Sequence, residues 1–209
     1  MLSCPHGDPF TYDYCSVKKS STRSKPNQVR IIGGDWRGRK LTFPTAAGLR
    51  PTPDRVRETL FNWLQAYLPG ARCLDLFAGS GVLGLEALSR GASSVTFVER
   101  ERSAINAIKD NVNHLAATDR VLVHQGDALQ FIQEDHPDLF DIIFLDPPYD
   151  MGLSMECLQQ LDQNACLKSG GLLYLEHESK LDIAVSPEKW LVLKNKSAGQ
   201  VCYSLLKSV

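Results

Sequence analysis

Short apolar runs alternate with amphipathic stretches through most of the chain. Residues 73–78, 94–99, 121–124, 140–146 and 171–176 are dense in apolar side chains and bounded by turn formers, the pattern of buried strands. Between them, residues 82–90, 101–114, 128–134 and 153–163 predict helices. In the first of these Val82, Leu83, Leu85 and Leu88 are apolar, whereas Glu86 and Arg90 are polar. Strand–helix alternation with short loops predicts an α/β fold with a mostly parallel, doubly wound sheet.

The two ends of the chain depart from this rhythm. Residues 190–196 and 200–206 flank Ser197-Ala198-Gly199 and predict a hairpin that closes the sheet with an antiparallel pair. Residues 29–41 read as two short strands around a Gly-rich turn. A helix should follow, with Thr52 as its N-cap, Pro53 in the first helical position and Asp54 complementing the dipole. Val56, Leu60, Trp63 or Leu64, and Tyr67 form its apolar stripe, which leaves Arg50, Arg55 and Arg57 to face solvent, cofactor or RNA. Residues 1–28 are Ser-, Lys-, Pro- and Asn-containing without apolar periodicity, the signature of a disordered basic tail. The expected organisation is that tail, a hairpin-and-helix segment over 29–67, and a main domain over 68–209.

Composition agrees with a globular protein: 209 residues, 43% apolar and 22% charged. No apolar run approaches the roughly 18 residues of a membrane span, and the N-terminus lacks a signal-peptide core. Cys4, Cys15, Cys73, Cys157, Cys166 and Cys202 contain no C-x-x-C pair, which points to a reducing cytoplasm. The spacing of Cys4, His6 and Cys15 matches no zinc pattern, so no metal is expected. The net charge of −1 hides an asymmetry, with a balance of +6 over residues 1–60 and −7 over residues 61–209. A basic front on an acidic body suits a polyanion. Arg37, Arg39 and Lys40 crowd beside Trp36: arginine forks suit phosphates, and an indole can stack on a base. A surface hairpin with Trp36 tucked against the core is the plainer alternative.

The strand ends carry the chemistry. The strand over 73–78 runs into Gly79-Ser80-Gly81-Val82-Leu83-Gly84, a G-x-G-x-x-G turn common to many nucleotide binders. Asp75 discriminates among them. A carboxylate at the mouth of that turn repels a pyrophosphate and favours a cation such as the ammonium of S-adenosylmethionine; a capping or turn carboxylate is the plainer alternative. Glu99, at the next strand end, can accept both ribose hydroxyls. Asp127 with the backbone of Ala128 can read an adenine edge, or Asp127 can cap the helix that follows. The fourth tip reads Asp146-Pro147-Pro148-Tyr149. Two prolines end a ladder and stiffen a turn. The Asp146 carboxylate and the Pro147 carbonyl can then accept the hydrogens of an exocyclic base amine while Tyr149 stacks on the base.

In this order, the acid–Gly-x-Gly turn, Glu99, Asp127 and Asp-Pro-Pro-Tyr resemble the Rossmann-like class I S-adenosylmethionine-dependent amino-methyltransferases. Asp-Pro-Pro-Tyr alone leaves adenine N6, cytosine N4 and guanine N2 open. Arg30-Ile31-Ile32-Gly33-Gly34, Trp36-Arg37-Gly38-Arg39-Lys40 and Arg50-Pro51-Thr52 through Asn62 resemble the bacterial RsmD family. Residues 29–207 carry the resemblance, with a similar Gly199-Gln200-Val201 and Tyr203 segment. It implies methylation of guanine N2 in 16S ribosomal RNA, within the 30S subunit or an assembly intermediate. It implies Asp146, Pro147 and Tyr149 as catalytic, and Asp75, Phe77, Gly79, Gly81, Glu99, Asp127 and Ala128 as cofactor-binding. Arg30, Trp36, Arg37, Arg39, Lys40, Arg50 and Arg55 would meet RNA. An NAD-dependent dehydrogenase and a catalytically silent RNA-binding protein are the rival readings, against which Asp75 and the intact Asp146–Tyr149 motif argue.

Overall fold

Each predicted strand and helix of the main domain is present, and the order in which the strands associate makes the site. The computed structural model describes residues 27–44, 52–148, 152–180 and 185–209. β1 (Asn27–Arg30) and β2 (Lys40–Phe43) form a separate antiparallel ribbon, and α1 (Asp54–Leu64) follows. β3 (Arg72–Asp75), α2 (Val82–Ser89), β4 (Ser94–Glu99), α3 (Arg102–His114), β5 (Val121–Gln125), α4 (Ala128–Gln133), β6 (Phe140–Leu145), α5 (Leu153–Gln163) and β7 (Leu167–Glu178) alternate. β8 (Trp190–Ala198) and β9 (Val201–Ser208) complete a seven-stranded sheet in the order β5-β4-β3-β6-β7-β9-β8. β3 to β7 are parallel; β9 runs antiparallel to β7 and to β8.

Successive strand residues face opposite sides of a sheet, and the core divides accordingly. Cys73, Ile142 and Leu172 pack with Leu60, Phe61, Leu85 and Ile108, so α1, α2 and α3 cover one face. Leu74, Ile143 and Leu173 pack with Ile132 and Leu158, so α4 and α5 cover the other. Each such fully buried side chain contributes about 1.5–3 kcal/mol relative to exposure.

The N-terminal ribbon docks on this core through polar groups of α2 and α3. α2 is buried along its whole length, which encloses Glu86 and Ser89. Enclosed polar groups need partners, and the ribbon supplies them. Glu86 accepts the N–H of Ile32 at 2.7 Å and of Gly33 at 2.8 Å. Ser89 donates to the Gly33 carbonyl at 2.6 Å and accepts the Trp36 N–H at 2.9 Å. Gly34 sits at φ +74°, where a Cβ would strike the Ser89 carbonyl, so a side chain is barred there. Asn111 of α3 brackets Thr42, donating to its carbonyl at 2.8 Å and accepting its N–H at 3.1 Å.

Several sequence expectations are corrected in detail. The strand expected over 73–78 ends at Asp75; Leu76 to Ala78 already turn, with Ala78 N–H donating to Val98 O at 3.1 Å. β7 begins at Leu167 rather than 171, and β1 begins at Asn27, inside the expected tail. Residues 1–26 lie outside the described residues. Pro53, not Thr52, occupies the N-cap of α1, and no side chain caps it. Tyr67 lies past the helix end and is half exposed. Arg57 is not outward-facing but fully buried. Leu60, Phe61 and Leu64 lie three, four and seven residues beyond it, so position 57 is on the inner arc of the helix.

Candidate active site

The chain reverses its lateral direction between β3 and β6: β4 and β5 lie to one side, β7 to the other. Ligands of open parallel sheets bind outside the carboxyl ends of the strands at such a switch point. The predicted acids converge there. Asp75 ends β3 in register with Phe144 of β6, and Asp146 follows two residues later. Glu99 ends β4 opposite Gln125, and Asp127 follows β5. Glu176 of β7 stands one residue beyond the Leu145–Leu175 pair, level with Asp146.

The acids differ in environment. Asp75 is buried and accepts the Gly84 N–H at 3.1 Å. Burial pushes its carboxyl up to about 7; the Gly84 bond opposes this and the charge of Glu99 adds to it. Asp146 is held well above the usual carboxylate range, first by burial and then by Glu176. The Thr52 hydroxyl, donating to Asp146 Oδ2 at 2.9 Å, acts in the opposite sense, and Asp75 adds to the rise. Glu176 is buried and accepts the Tyr174 hydroxyl at 2.6 Å. Carboxyl groups along one sheet edge offer acceptors to a cation, whose charge would in turn favour their ionised form.

The glycine turn is tied to this edge. Gly79 and Gly81 adopt φ +50° and +72°, and Gly81 opens α2. Glu99 accepts the Gly79 N–H at 2.7 Å and the N–H groups of Arg100 and Glu101 at 2.9 Å each. A Cβ on Gly84 would enter the Phe97 ring, so the third glycine lets α2 pack on β4. Phe77 is half-buried against the α4/α5 side of the core. Asp127 caps α4, accepting from Leu129 at 2.9 Å and Gln130 at 3.3 Å, and Ala128 is buried behind it. Pro147 is buried and Pro148 exposed, while Tyr149 lies outside the described residues. The assembled side chains are acceptors, suited to ammonium, hydroxyl and amine hydrogens.

The family model described as conserved hypothetical protein 95 matches residues 29–207. The ribosomal RNA small subunit methyltransferase D of Haemophilus influenzae is 43% identical over 194 residues, spanning 92% of this chain and 100% of that protein. The protein of the same name from Escherichia coli K12 is 45% identical over 188 residues, spanning 90% and 93%. The chain belongs to this methyltransferase family. Its fold agrees: a solved structure titled putative methyltransferase yhhF from Escherichia coli superposes with a TM-score of 0.80 at 42% identity, over 87% of this chain and 98% of that one. The sheet is thus the Rossmann-like class I methyltransferase core, with an N-terminal ribbon and a C-terminal antiparallel pair added.

The residues expected to meet RNA separate in the family fold. Arg30, Arg37, Arg39, Lys40 and Arg55 are exposed, whereas Arg50 lies outside the described residues. Trp36 is half-buried and packs against the core, with the Arg120 guanidinium 5.2 Å from its ring centroid. One indole face is therefore engaged within the protein. Three residues at or behind the site were not singled out from sequence. Glu176 ends the apolar run Leu172–Leu175 as Glu99 ends its own, a signal legible in the sequence. Thr52 read as a helix cap and Arg57 as a surface cation; no local pattern points to their actual partners.

Proposed function

We propose that the chain transfers a methyl group from S-adenosylmethionine to the exocyclic N2 of a guanine in 16S ribosomal RNA of the small subunit. Family membership supports the reaction and substrate class. The observation in the fold that carries it is the placing of Asp75, at the end of β3, beside the tip of β6, where Asp146 follows the register partner Phe144 by two residues at the switch point.

The donor set fits the cofactor. An edge of carboxyl acceptors matches a nucleoside that bears an ammonium and a sulfonium. Asp75 and the turn at Gly79 and Gly81 would face the amino-acid end, Glu99 the ribose hydroxyls, and Phe77, Asp127 and Ala128 the adenine. When bound, the cofactor supplies an electrophilic methyl carbon, so no covalent enzyme intermediate is required.

The remaining task is the nucleophile, because the N2 lone pair is delocalised into the guanine ring. Asp146 and the Pro147 carbonyl accept the two amine hydrogens and favour a more tetrahedral nitrogen as attack begins. As the N2–carbon bond formed and the carbon–sulfur bond broke, with S-adenosylhomocysteine as the leaving group, the nitrogen would become acidic and its proton would pass to Asp146 or to water. The crowded, buried surroundings that raise the proton affinity of Asp146 suit it to receive that proton. Tyr149 would stack on the extruded base; extrusion costs a few kcal/mol, least in an RNA loop. Holding the reactants in line supplies most of the acceleration. Arg37, Arg39 and Lys40 on the ribbon side, with Arg30, Arg50 and Arg55, would carry the RNA phosphates, and Trp36 would support that surface.

The deciding experiment is methyl transfer from labelled cofactor to small subunits purified from cells lacking the enzyme, with the modified nucleoside mapped. N2-methylguanosine at one site is expected. Label in an adenine or cytosine amine, or none, would overturn the assignment.

A further inference from the structure

We infer that Thr52 is a positioning residue for the methyl transfer, its hydroxyl orienting the Asp146 carboxylate toward the amine and joining the N-terminal segment to the catalytic strand tip. The inference rests on the reading of Asp146 given above. Thr52 is buried, 6% exposed, and lies 94 residues from Asp146 in sequence. Its hydroxyl donates to Asp146 Oδ2 at 2.9 Å rather than capping the helix that it precedes. One carboxylate oxygen is thereby engaged, and the other is left to meet the substrate.

The backbone of Thr52 is itself held. Buried Arg57 donates from Nε to the Thr52 carbonyl at 3.2 Å. The same guanidinium donates to the Arg30 carbonyl at the end of β1 at 3.0 Å and to Asp54 at 2.6 Å, and it lies 3.7 Å from Glu86 of α2. One planar fork therefore spans the ribbon, the start of α1 and the glycine-turn helix. Its rigidity fixes where the Thr52 hydroxyl points. A shift of the ribbon on binding RNA would reach Asp146 along this path.

The charges around Asp146 make the role measurable. Glu176 on β7 and Asp75 on β3 both disfavour its ionised form, whereas the Thr52 hydroxyl favours it. Removing the hydroxyl should move the acidic limb of the kcat–pH profile to higher pH. A structural filler would leave that limb in place.

The test uses the full chain with small subunits as substrate and compares Thr52→Val, Thr52→Ala and Thr52→Ser. For Val and Ala, kcat should fall by about ten- to a hundredfold, the rate equivalent of a lost hydrogen bond to a charged group. KM for the subunit and affinity for S-adenosylhomocysteine should stay near wild type, the acidic limb should move upward, and Ser should restore both rate and limb. If Val perturbs folding, as thermal melting would show, the smaller Ala carries the comparison. An unchanged kcat, a loss confined to KM, an unmoved limb, or failure of Ser to rescue would each overturn the inference. Absence of methylation by the wild type would instead overturn the functional reading on which it rests.

Discussion

Glu99 Oε2 accepts the Gly79 N–H at 2.7 Å, which ties the tip of β4 to the glycine turn that follows β3. The same carboxylate takes two further N–H groups through Oε1. Glu99→Ala should therefore weaken S-adenosylmethionine and S-adenosylhomocysteine binding by about 1–3 kcal/mol, the range for hydrogen bonds to a charged group. Glu99→Gln, which keeps an acceptor for Gly79, should lose less. Isothermal titration measures both, and NAD should give no heat. Tight NAD binding with no response to S-adenosylhomocysteine would remove the assignment of this crevice.

Asp146→Ala should reduce turnover by orders of magnitude with little change in cofactor affinity, because the proposed role of its carboxylate is to hold the amine and not the cofactor. Tyr149→Phe should be mild, since the stacking face survives. Tyr149→Ala should be severe, because stacking of a base on an aromatic is worth about 1–3 kcal/mol. Single-turnover methylation alongside cofactor titration separates these effects. Near wild-type methylation by Asp146→Ala would refute the amine-holding role.

Asp75 couples the fold to pH. Its folded value of about 7 lies above the ordinary 3.8. Between those values the native state holds a proton that the unfolded chain has released. Its contribution to stability is thus complete below the lower value and is lost as pH rises toward the upper. Asp75→Asn keeps an acceptor for Gly84 without the titration. Urea unfolding of the wild type should show a slope against pH more negative than that of Asp75→Asn, by up to about 1.4 kcal/mol per pH unit. Parallel slopes would place the titration elsewhere.

Glu86 and Arg57 form a buried pair whose members cannot be removed singly without cost. Glu86→Ala leaves Arg57 with only the exposed Asp54 as counter-charge among the described residues, strips Arg90 of its partner at 2.7 Å and frees the N–H groups of Ile32 and Gly33. A loss of about 3–5 kcal/mol is expected, as for breaking one side of a buried ion pair. Glu86→Gln should cost less, because it keeps an acceptor for the ribbon. Chemical denaturation of both variants decides the point. A loss below about 1 kcal/mol for Ala would mean that the apolar contacts hold the ribbon unaided.

The exposed cations of the ribbon should grip RNA without touching the chemistry. Arg37→Glu combined with Arg39→Glu should weaken subunit binding and leave S-adenosylmethionine affinity unchanged. Each lost phosphate contact lowers the magnitude of the log–log salt slope by about 0.7–0.9. Deleting residues 1–26 should matter less. Binding at several salt concentrations gives both quantities. An unaltered slope in the double variant would place the phosphate grip on another surface.

Strand and helix identity were legible because buried parallel strands are short apolar runs and the covering helices are amphipathic, a difference local in sequence. The acids at the strand ends were legible for a related reason. A parallel sheet places the carboxyl ends of its strands along one edge, so a charged residue closing an apolar run lies at the ligand edge. Glu99 and Asp146 follow from that rule, and Glu176 could have; Asp75 was legible from its place before the glycine turn and Asp127 from the strand-to-loop position after β5.

Other features depended on partners far away in the chain. Arg57 read as a surface cation because nothing nearby announces that Glu86 and the carbonyls of Arg30 and Thr52 will surround it. Thr52 read as a cap because the local pattern Thr-Pro-Asp favours one, yet Asp146 offers its hydroxyl a charged acceptor. Trp36 could be a stacking platform or a core anchor until Arg120 and the ribbon contacts were in place. The sequence by itself therefore determined the elements, their alternation and the acidic edge, all set by local periodicity and strand direction. Tertiary structure alone decided which polar side chains turn inward, because a buried donor or acceptor is stable only where folding brings it a partner.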